Sequence, residues 1–248
     1  MQWEDEAIVL AARRHGESAL VAQVLTRGHG RHAGLVRGGQ RPKLRTVYQV
    51  GNRVGVTWKA RLAEHLGALT GELLRGHAAR FMDDAARLGC LAAAAAVTEA
   101  ALPEREPHPR IYEGLSALLD ALDADRGWAV GYVEWELMLL AELGFGLDLS
   151  RCAATGETGD LAYVSPKSGQ AVSASAGAPY HDKLLRLPAF LLPGDVLVAP
   201  EPAAVLDGLM LTGFFLDHRV FAPHGRDMPA ARSRFVDLLR RMTTISRG

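Results

Sequence analysis

Apolar positions in the first third of the chain come in short runs bounded by turn residues. Glu6–Arg13 (EAIVLAAR) and Ser18–Thr26 (SALVAQVLT) flank His15-Gly16-Glu17, a hairpin pattern in which Gly16 supplies the turn. Gly28-His29-Gly30 then breaks the chain before Arg31–Arg37. Beyond a loop rich in glycine and arginine, Arg53–Arg61 alternates most clearly. Val54, Val56, Trp58 and Ala60 point one way and Arg53, Gly55, Thr57, Lys59 and Arg61 the other, which predicts a half-buried strand with a cationic outer face. A weaker run, His65–Leu74, completes a set of five short strands. Such a set with turns between its members predicts a small barrel.

The period changes near Arg80. Phe81–Leu102 is alanine-rich and free of proline, which favours helix, and Pro103 with the EREPHP segment ends it. Ile111, Leu115, Leu118, Leu119 and Leu122 recur at helical spacing, as do Trp128, Tyr132, Trp135, Leu139 and Leu143 before Gly144 and Gly146. Arg151–Ser175 turns to Gly, Ser and Thr with two apolar pairs (LAYVS, QAVS) around Pro166-Lys-Ser-Gly169, a small hairpin. Helical patterning returns over Lys183–Leu192, Ala203–Phe221 and Pro229–Met242. The pattern therefore predicts a β-barrel, then a helical domain interrupted by a small β insert.

Composition adds little until it is mapped. A chain of 248 residues with 48% hydrophobic and 23% charged residues is ordinary for a globular protein, and its formal net charge is +0. Yet eleven Lys and Arg lie between Arg13 and Arg61, with Glu17 the single acid in that span. Residues 1–80 carry thirteen basic and six acidic side chains. Clustered cations with few interleaved acids repel one another and suit a polyanion. Tyr48 and Trp58 are the aromatic candidates for stacking on bases. Trp58 shares its face with Val54 and Val56, which places it in the core, so Tyr48 is the expected stacking residue. The N-terminus lacks a signal-peptide pattern, no apolar run reaches membrane-span length, and two cysteines make no disulfide framework. The cytoplasm is the expected compartment.

No catalytic motif is complete in the sequence. Gly34–Gly39 has phosphate-loop spacing, but Gln40-Arg41 follow where Lys-Ser/Thr would be needed to reach phosphate and magnesium. Gly28, Gly30 and Gly34 miss the dinucleotide fingerprint by one residue. His29 and His32 have no cysteine or carboxylate beside them in sequence to complete a metal shell. Cys90 reads as a small core residue, and Asp83-Asp84 and Glu134/Glu136 as helix-surface charges. The expectation is a protein that binds and is not an enzyme, with no cofactor.

The order of motifs is more specific than any of them alone. W-x-x-x-A-I-V-L at the N-terminus, T-R-x-H-G-R, a loop carrying G-G-x-R-P-K, an alanine-rich helix, ELGFGLDLSRCAATGE and YVSPKSGQAVS together resemble the RecO family of bacterial recombination mediators. The resemblance runs through nearly the whole chain. It implies an α+β chain: an OB-fold barrel over residues 1–79, a helical domain over 80–149 and 177–248, and a zinc-ribbon-like insert over 150–176. It implies binding of single- and double-stranded DNA, annealing of complementary strands, and action with RecR in the RecF pathway. It implies help in loading RecA onto DNA coated by single-stranded-DNA-binding protein (SSB), contact with the SSB C-terminal tail, and a place at the nucleoid. Many members hold zinc with two C-x-x-C pairs in the insert. Here Cys152 stands at the first position and Thr155 at the second, so a metal-free hairpin packed through Leu161, Tyr163 and Val172 is expected.

The residues expected to contact phosphate are Arg13, Arg14, Arg27, Arg31, Arg37, Arg41, Lys43, Arg45, Arg53, Lys59 and Arg61, with Tyr48 stacking. A second reading makes the chain chiefly an adaptor for SSB or RecR. Its candidate surface for an acidic, apolar-ended peptide is Phe214, Phe215, Phe221, Arg226, Arg232 and Arg234.

Overall fold

A computed structural model describes residues 1–62, 64–193 and 200–245. They form two compact units, the first comprising residues 1–124 and 229–235 and the second the rest. The first unit opens with a closed five-stranded barrel of order β1-β2-β3-β5-β4. Its strands are β1 (Gln2–His15), β2 (Ala19–Thr26), β3 (Gly30–Val36), β4 (Arg53–Lys59) and β5 (Ala68–Arg75). Neighbours run antiparallel except β3 and β5, whose parallel contact closes the barrel, as in the OB-fold. The long β1 pairs through its first half with β4 and through its second with β2, with an irregularity at Val9/Ala11 that marks the change of partner.

The barrel is filled by the inward residues of the two-residue period. Ala7, Val9, Ala22, Val24, Val54, Val56, Trp58 and Leu69 are buried together. Trp58 donates its ring N–H to Ala33 O and Leu66 O at 3.1 and 3.0 Å, so its polar edge is satisfied inside the core. Gly67, at φ +70°, lets the chain turn directly over that ring: a Cβ there would lie 2.4 Å from it. The connection between β3 and β4 is not the open loop its glycines suggest. Residues 37–40 turn, and Pro42–Val47 form a short helix, α1, with proline at its first turn. Val47 and Tyr48 leave α1 pointing inward and join the barrel core.

Besides α1 and residues 229–235, which lead into the last helix of the chain, the first unit contains two helices, α2 (Ala85–Ala101) and α3 (Pro109–Ala124). Asp84 caps α2 by accepting from the backbone N–H groups of Ala86 and Arg87. Cys90 and the alanines around it are core residues, and Ile111, Leu115, Leu118, Leu119 and Leu122 are all buried, as their spacing requires. The link between the helices, Pro103–Pro107, runs beside β3, where Arg105 N–H donates to Arg31 O at 2.8 Å. Gly30 permits this approach; a Cβ at that position would sit 2.0 Å from Glu106 O.

The second unit holds α4 (Trp128–Glu142), a hairpin of β6 (Leu161–Val164) and β7 (Ala171–Ser173), a single turn α5 (Ala174–Gly177), and α6 (Pro202–Phe215). Helix α6 continues through one π-helical turn, Leu216–Phe221. A last helix, α7, spans Ala230–Ile245. The helical pattern seen in Lys183–Leu192 is not a helix. Leu185–Arg186 add to β6 as a third strand, β8, and only Ala189–Leu191 make a 3-10 turn. Pro188 removes a backbone donor, and the apolar residues are buried from different local structures, Leu187 from the extended stretch after β8 and Phe190 from the 3-10 turn. Glu136 also departs from expectation. It is fully buried on α4 and accepts a hydrogen bond from the Thr212 hydroxyl on α6 at 2.5 Å.

Candidate nucleic-acid interface

The structure sorts the eleven cations of the basic segment into three groups. Four carry internal partners. Arg13 is gripped by Glu99 through both guanidinium nitrogens, at 2.7 and 2.9 Å. Arg31 donates to Leu102 O, Gln23 and Glu104, and its side chain is only 15% exposed. Arg53 turns off the outer face of β4 to donate to Ser116 O and Asp120 at 2.7 and 2.8 Å. Arg27 faces Glu113 at 3.6 Å, an exposed and looser pair. Arg31 and Arg53 are thus bracing residues within the unit, a correction to their expected role as phosphate contacts. They share this work with Arg75 and Arg80, which reach Asp120 and Asp123 on α3.

The outer face of β4 is not cationic either. Gly55 pairs with Glu6 on one side and Glu72 on the other, and Thr57 pairs with Glu4 and Thr70. The surface there is a shallow basin of about 580 Å³ bordered by Glu4, Asp5, Glu6 and Glu72. Alternation along one strand cannot show which charges the neighbouring strands bring alongside. Lys59 and Arg61 stay exposed at the β4–β5 connection, away from those pairings.

The remaining five cations converge. Arg14 is the penultimate residue of β1, Arg37 and Arg41 frame the turn after β3, and Lys43 and Arg45 stand on α1; all are exposed, and no salt bridge holds them among the described residues. Gln40 ties the two segments together by donating from its side-chain amide to Gly16 O and Ala19 O at 3.0 and 3.2 Å. Asn52 fixes the far end of α1, donating to Thr46 O at 2.8 Å and accepting from His77 N–H at 3.0 Å. The cations are therefore presented by a braced turn and a short helix. Arg14 and Arg45 line one basin of about 280 Å³ with Gln40, Gln49 and Val50. Two guanidinium groups beside an amide donor suit a phosphodiester.

Tyr48 also borders this basin, but it is too deeply buried to stack on a base. It is 2% exposed, its ring fills the barrel, and burial pushes its hydroxyl pKa up to about 12. The aromatic stack of the barrel is another: Trp3 lies flat between His29 and Trp58, with ring centres 4.3 and 5.6 Å away. His29 is anchored by Asp5 at 2.9 Å. Neither Gln40 nor Asn52 could be found from the sequence, because their roles depend on backbone carbonyls that only the fold brings near.

The candidate peptide surface largely dissolves. Phe215, Phe221 and Arg232 are buried. Phe214 is half-buried and stacks on His218 with ring centres 4.0 Å apart. Arg226 and Arg234 are exposed, and Arg226 has a partner within the chain. Core aromatics on one helix face imitate an exposed apolar stripe when only the sequence is read.

The insert offers a poor donor set for zinc. Cys152 is buried, and its sulfur accepts from Ser173 N–H at 3.3 Å. Thr155 is engaged with Glu157. Among the described residues no group of three His, Cys, Asp or Glu side chains is placed to hold a metal. One thiolate with hydroxyl neighbours does not fit a tetrahedral zinc site. The hairpin is packed through Leu161 and Val172, while the Tyr163 ring lies against Gly177, where a Cβ would come within 2.5 Å of it.

An OB-type barrel whose rim carries unpaired cations, joined to helices, defines the class: a barrel of the kind whose loops meet oligonucleotides. The chain belongs to the RecO family of DNA repair and recombination proteins. The family model for the N-terminal part of recombination protein O matches residues 1–77, and that for its C-terminal part matches 82–227. The DNA repair protein RecO of Rhodospirillum rubrum is 54% identical over the full length of both chains. That of Rhodospirillum centenum is 54% identical over 99% of this chain and 98% of its own. That of Mesorhizobium japonicum is 51% identical over 97% and 94%. No described helix is long and apolar enough to cross a membrane.

Proposed function

We propose that this chain is a DNA-binding recombination mediator that acts by gripping the phosphate backbone at the β1–β2 turn and the Arg37–Arg45 segment. It binds single- and double-stranded DNA and anneals complementary strands. With RecR, in the RecF pathway, it helps load RecA onto DNA coated by SSB, whose C-terminal tail it contacts. Its place is the cytoplasm, at the nucleoid, and it works by binding without a catalytic step or a cofactor.

One observation carries the reading. Of the cations in the basic segment, Arg14, Arg37, Arg41, Lys43 and Arg45 share one braced end of the barrel and have no acid paired to them among the described residues. Holding like charges together costs free energy unless a polyanion or counterions neutralise them. Phosphate contact by side chains on such a surface gives affinity with little sequence preference.

The test is the triple variant Arg41→Ala/Lys43→Ala/Arg45→Ala. Each duplex phosphate contact contributes about 0.9 to the slope of log affinity against log salt, and each single-strand contact about 0.7. If all three residues touch phosphate, the slope becomes shallower by about 2 on a single strand and by nearly 3 on duplex. A variant with the parent's affinity and slope refutes the assignment.

A further inference from the structure

The basic basin does not end at Gln49 and Val50. Those two residues also line a larger apolar groove of about 470 Å³, so basin and groove are neighbours across Gln49 and Val50. One wall of the groove is a stripe of α2, where Leu88, Ala92, Ala96 and Glu99 recur at helical spacing. At 1.5 Å per residue that stripe is roughly 16 Å long. Leu10 and Leu91 form a buried floor, while Met82 is 75% exposed and Leu88 stands at the open edge. Exposed apolar side chains beside a formed groove of ligand size mark a binding surface.

We propose that this groove seats an unstacked base of a single DNA strand whose phosphates lie on Arg14 and Arg45. The inference rests on the phosphate-grip reading above and adds to it a means of telling single strands from duplex. Charge identifies the occupant. The basin that adjoins the groove at Gln49 and Val50 carries the guanidinium groups of Arg14 and Arg45, and the acid lining the groove, Glu99, is neutralised by the two-pronged contact with Arg13. A ligand must therefore combine negative charge at the mouth with a flat apolar body within, as a nucleotide does. The aliphatic floor meets the faces of a base, the flexible thioether of Met82 adapts to purine or pyrimidine, and Gln49 offers an amide to the polar edge. In duplex DNA the bases are paired and stacked and cannot enter, so duplex engages the cations alone.

Three probes of equal length and phosphate number separate the terms: an oligothymidylate, the same backbone with tetrahydrofuran in place of every base, and a duplex. The parent should bind oligothymidylate about tenfold more tightly than the abasic strand, the factor expected if seating one base removes roughly 55 Å² of apolar surface from water at about 25 cal/mol per Å². Met82→Ser/Leu88→Ser, at positions 75% and 37% exposed, should abolish that preference in a variant shown by its melting curve to be folded at the assay temperature. It should bind the abasic strand and the duplex within about twofold of the parent. Arg14→Gln/Arg45→Gln should weaken all three probes. Equal binding of base-bearing and abasic strands by the parent, or a preference that survives the groove substitutions, overturns the base seat while leaving the phosphate grip intact. Loss of an acidic, apolar-ended peptide's binding in the groove variant, with the base preference retained, assigns the groove to a protein partner and overturns the proposal. An Arg14/Arg45 variant that binds every probe as the parent does removes the phosphate grip and the base seat together.

Discussion

Asp123 on α3 is the sharpest place to perturb the internal charge network. Its carboxylate is only 4% exposed, and one oxygen takes Arg75 at 2.6 Å, Arg80 at 3.1 Å and His77 at 3.2 Å. Removing one partner of a buried ion pair costs about 3–5 kcal/mol when the other charge stays buried and uncompensated. Here the compensation is partial. Arg80 is more than half exposed and can turn to water, and Arg75 keeps Asp120 at 2.8 Å. His77 loses a charged neighbour, but burial already holds its pKa down, so the ring is left neutral. Asp123→Ala should therefore cost about 2–3 kcal/mol, below the full buried-pair value. At roughly 2–4 °C per kcal/mol for a chain of this size, the melting temperature should fall by about 5–10 °C. Asp123→Asn keeps a hydrogen-bond acceptor and should fall between parent and Ala. Thermal and urea melts followed by tryptophan fluorescence read both variants. A shift below about 2 °C for Asp123→Ala would show that these contacts behave as ordinary surface pairs and would refute the bracing role.

Other consequences are open to simple measurement. The Tyr48 hydroxyl is buried without a hydrogen-bond partner, so Tyr48→Phe should leave stability unchanged or raise it by about 1 kcal/mol, with DNA affinity as in the parent; a loss of either contradicts the core assignment. Burial, reinforced by Arg105, pushes the His32 pKa from 6.5 down to about 4, and His77 is lowered by burial against the pull of Asp123. The unfolded chain takes up these protons below pH 6.5 and the folded chain does not. Their contribution is thus complete above pH 6.5 and shrinks as pH falls toward 4. A melting temperature that stays flat from about pH 7 to pH 5, or an equally steep fall in His32→Gln/His77→Gln, would refute this linkage.

Much of this fold is local and therefore legible. Strict alternation in β4 placed Val54, Val56 and Trp58 inward, and the Ile111–Leu122 stripe marked the buried face of α3. Glycine or proline within two residues marked where β1, β2, β3, β5, α2 and α4 stop. What the sequence hides is tertiary. The long-range pairing of β1 with β4 sets Glu4 and Glu6 beside a strand that looks cationic by itself. Arg53 and Arg31 are indistinguishable in sequence from Arg45, and they differ only because α3 and the Pro103–Pro107 link arrive with acids and carbonyls. Tyr48 follows a polar, basic stretch yet turns into the barrel, because the hidden helix α1 reverses the chain there. The basic segment was visible as composition; which of its charges face outward unpaired was not.

That division is the central claim, and two charge-matched double variants test it directly. Arg41→Gln/Arg45→Gln and Arg31→Gln/Arg53→Gln each remove two positive charges. Their affinities for one oligonucleotide should be measured across a salt series at a temperature where both are folded. The first should lose affinity and make the salt slope shallower by about 1.4 on a single strand while melting as the parent does. The second should melt at lower temperature and keep the parent's slope. Equal loss of slope in both would contradict the account, because it would mean that net charge, and not its placement on the braced rim, governs binding.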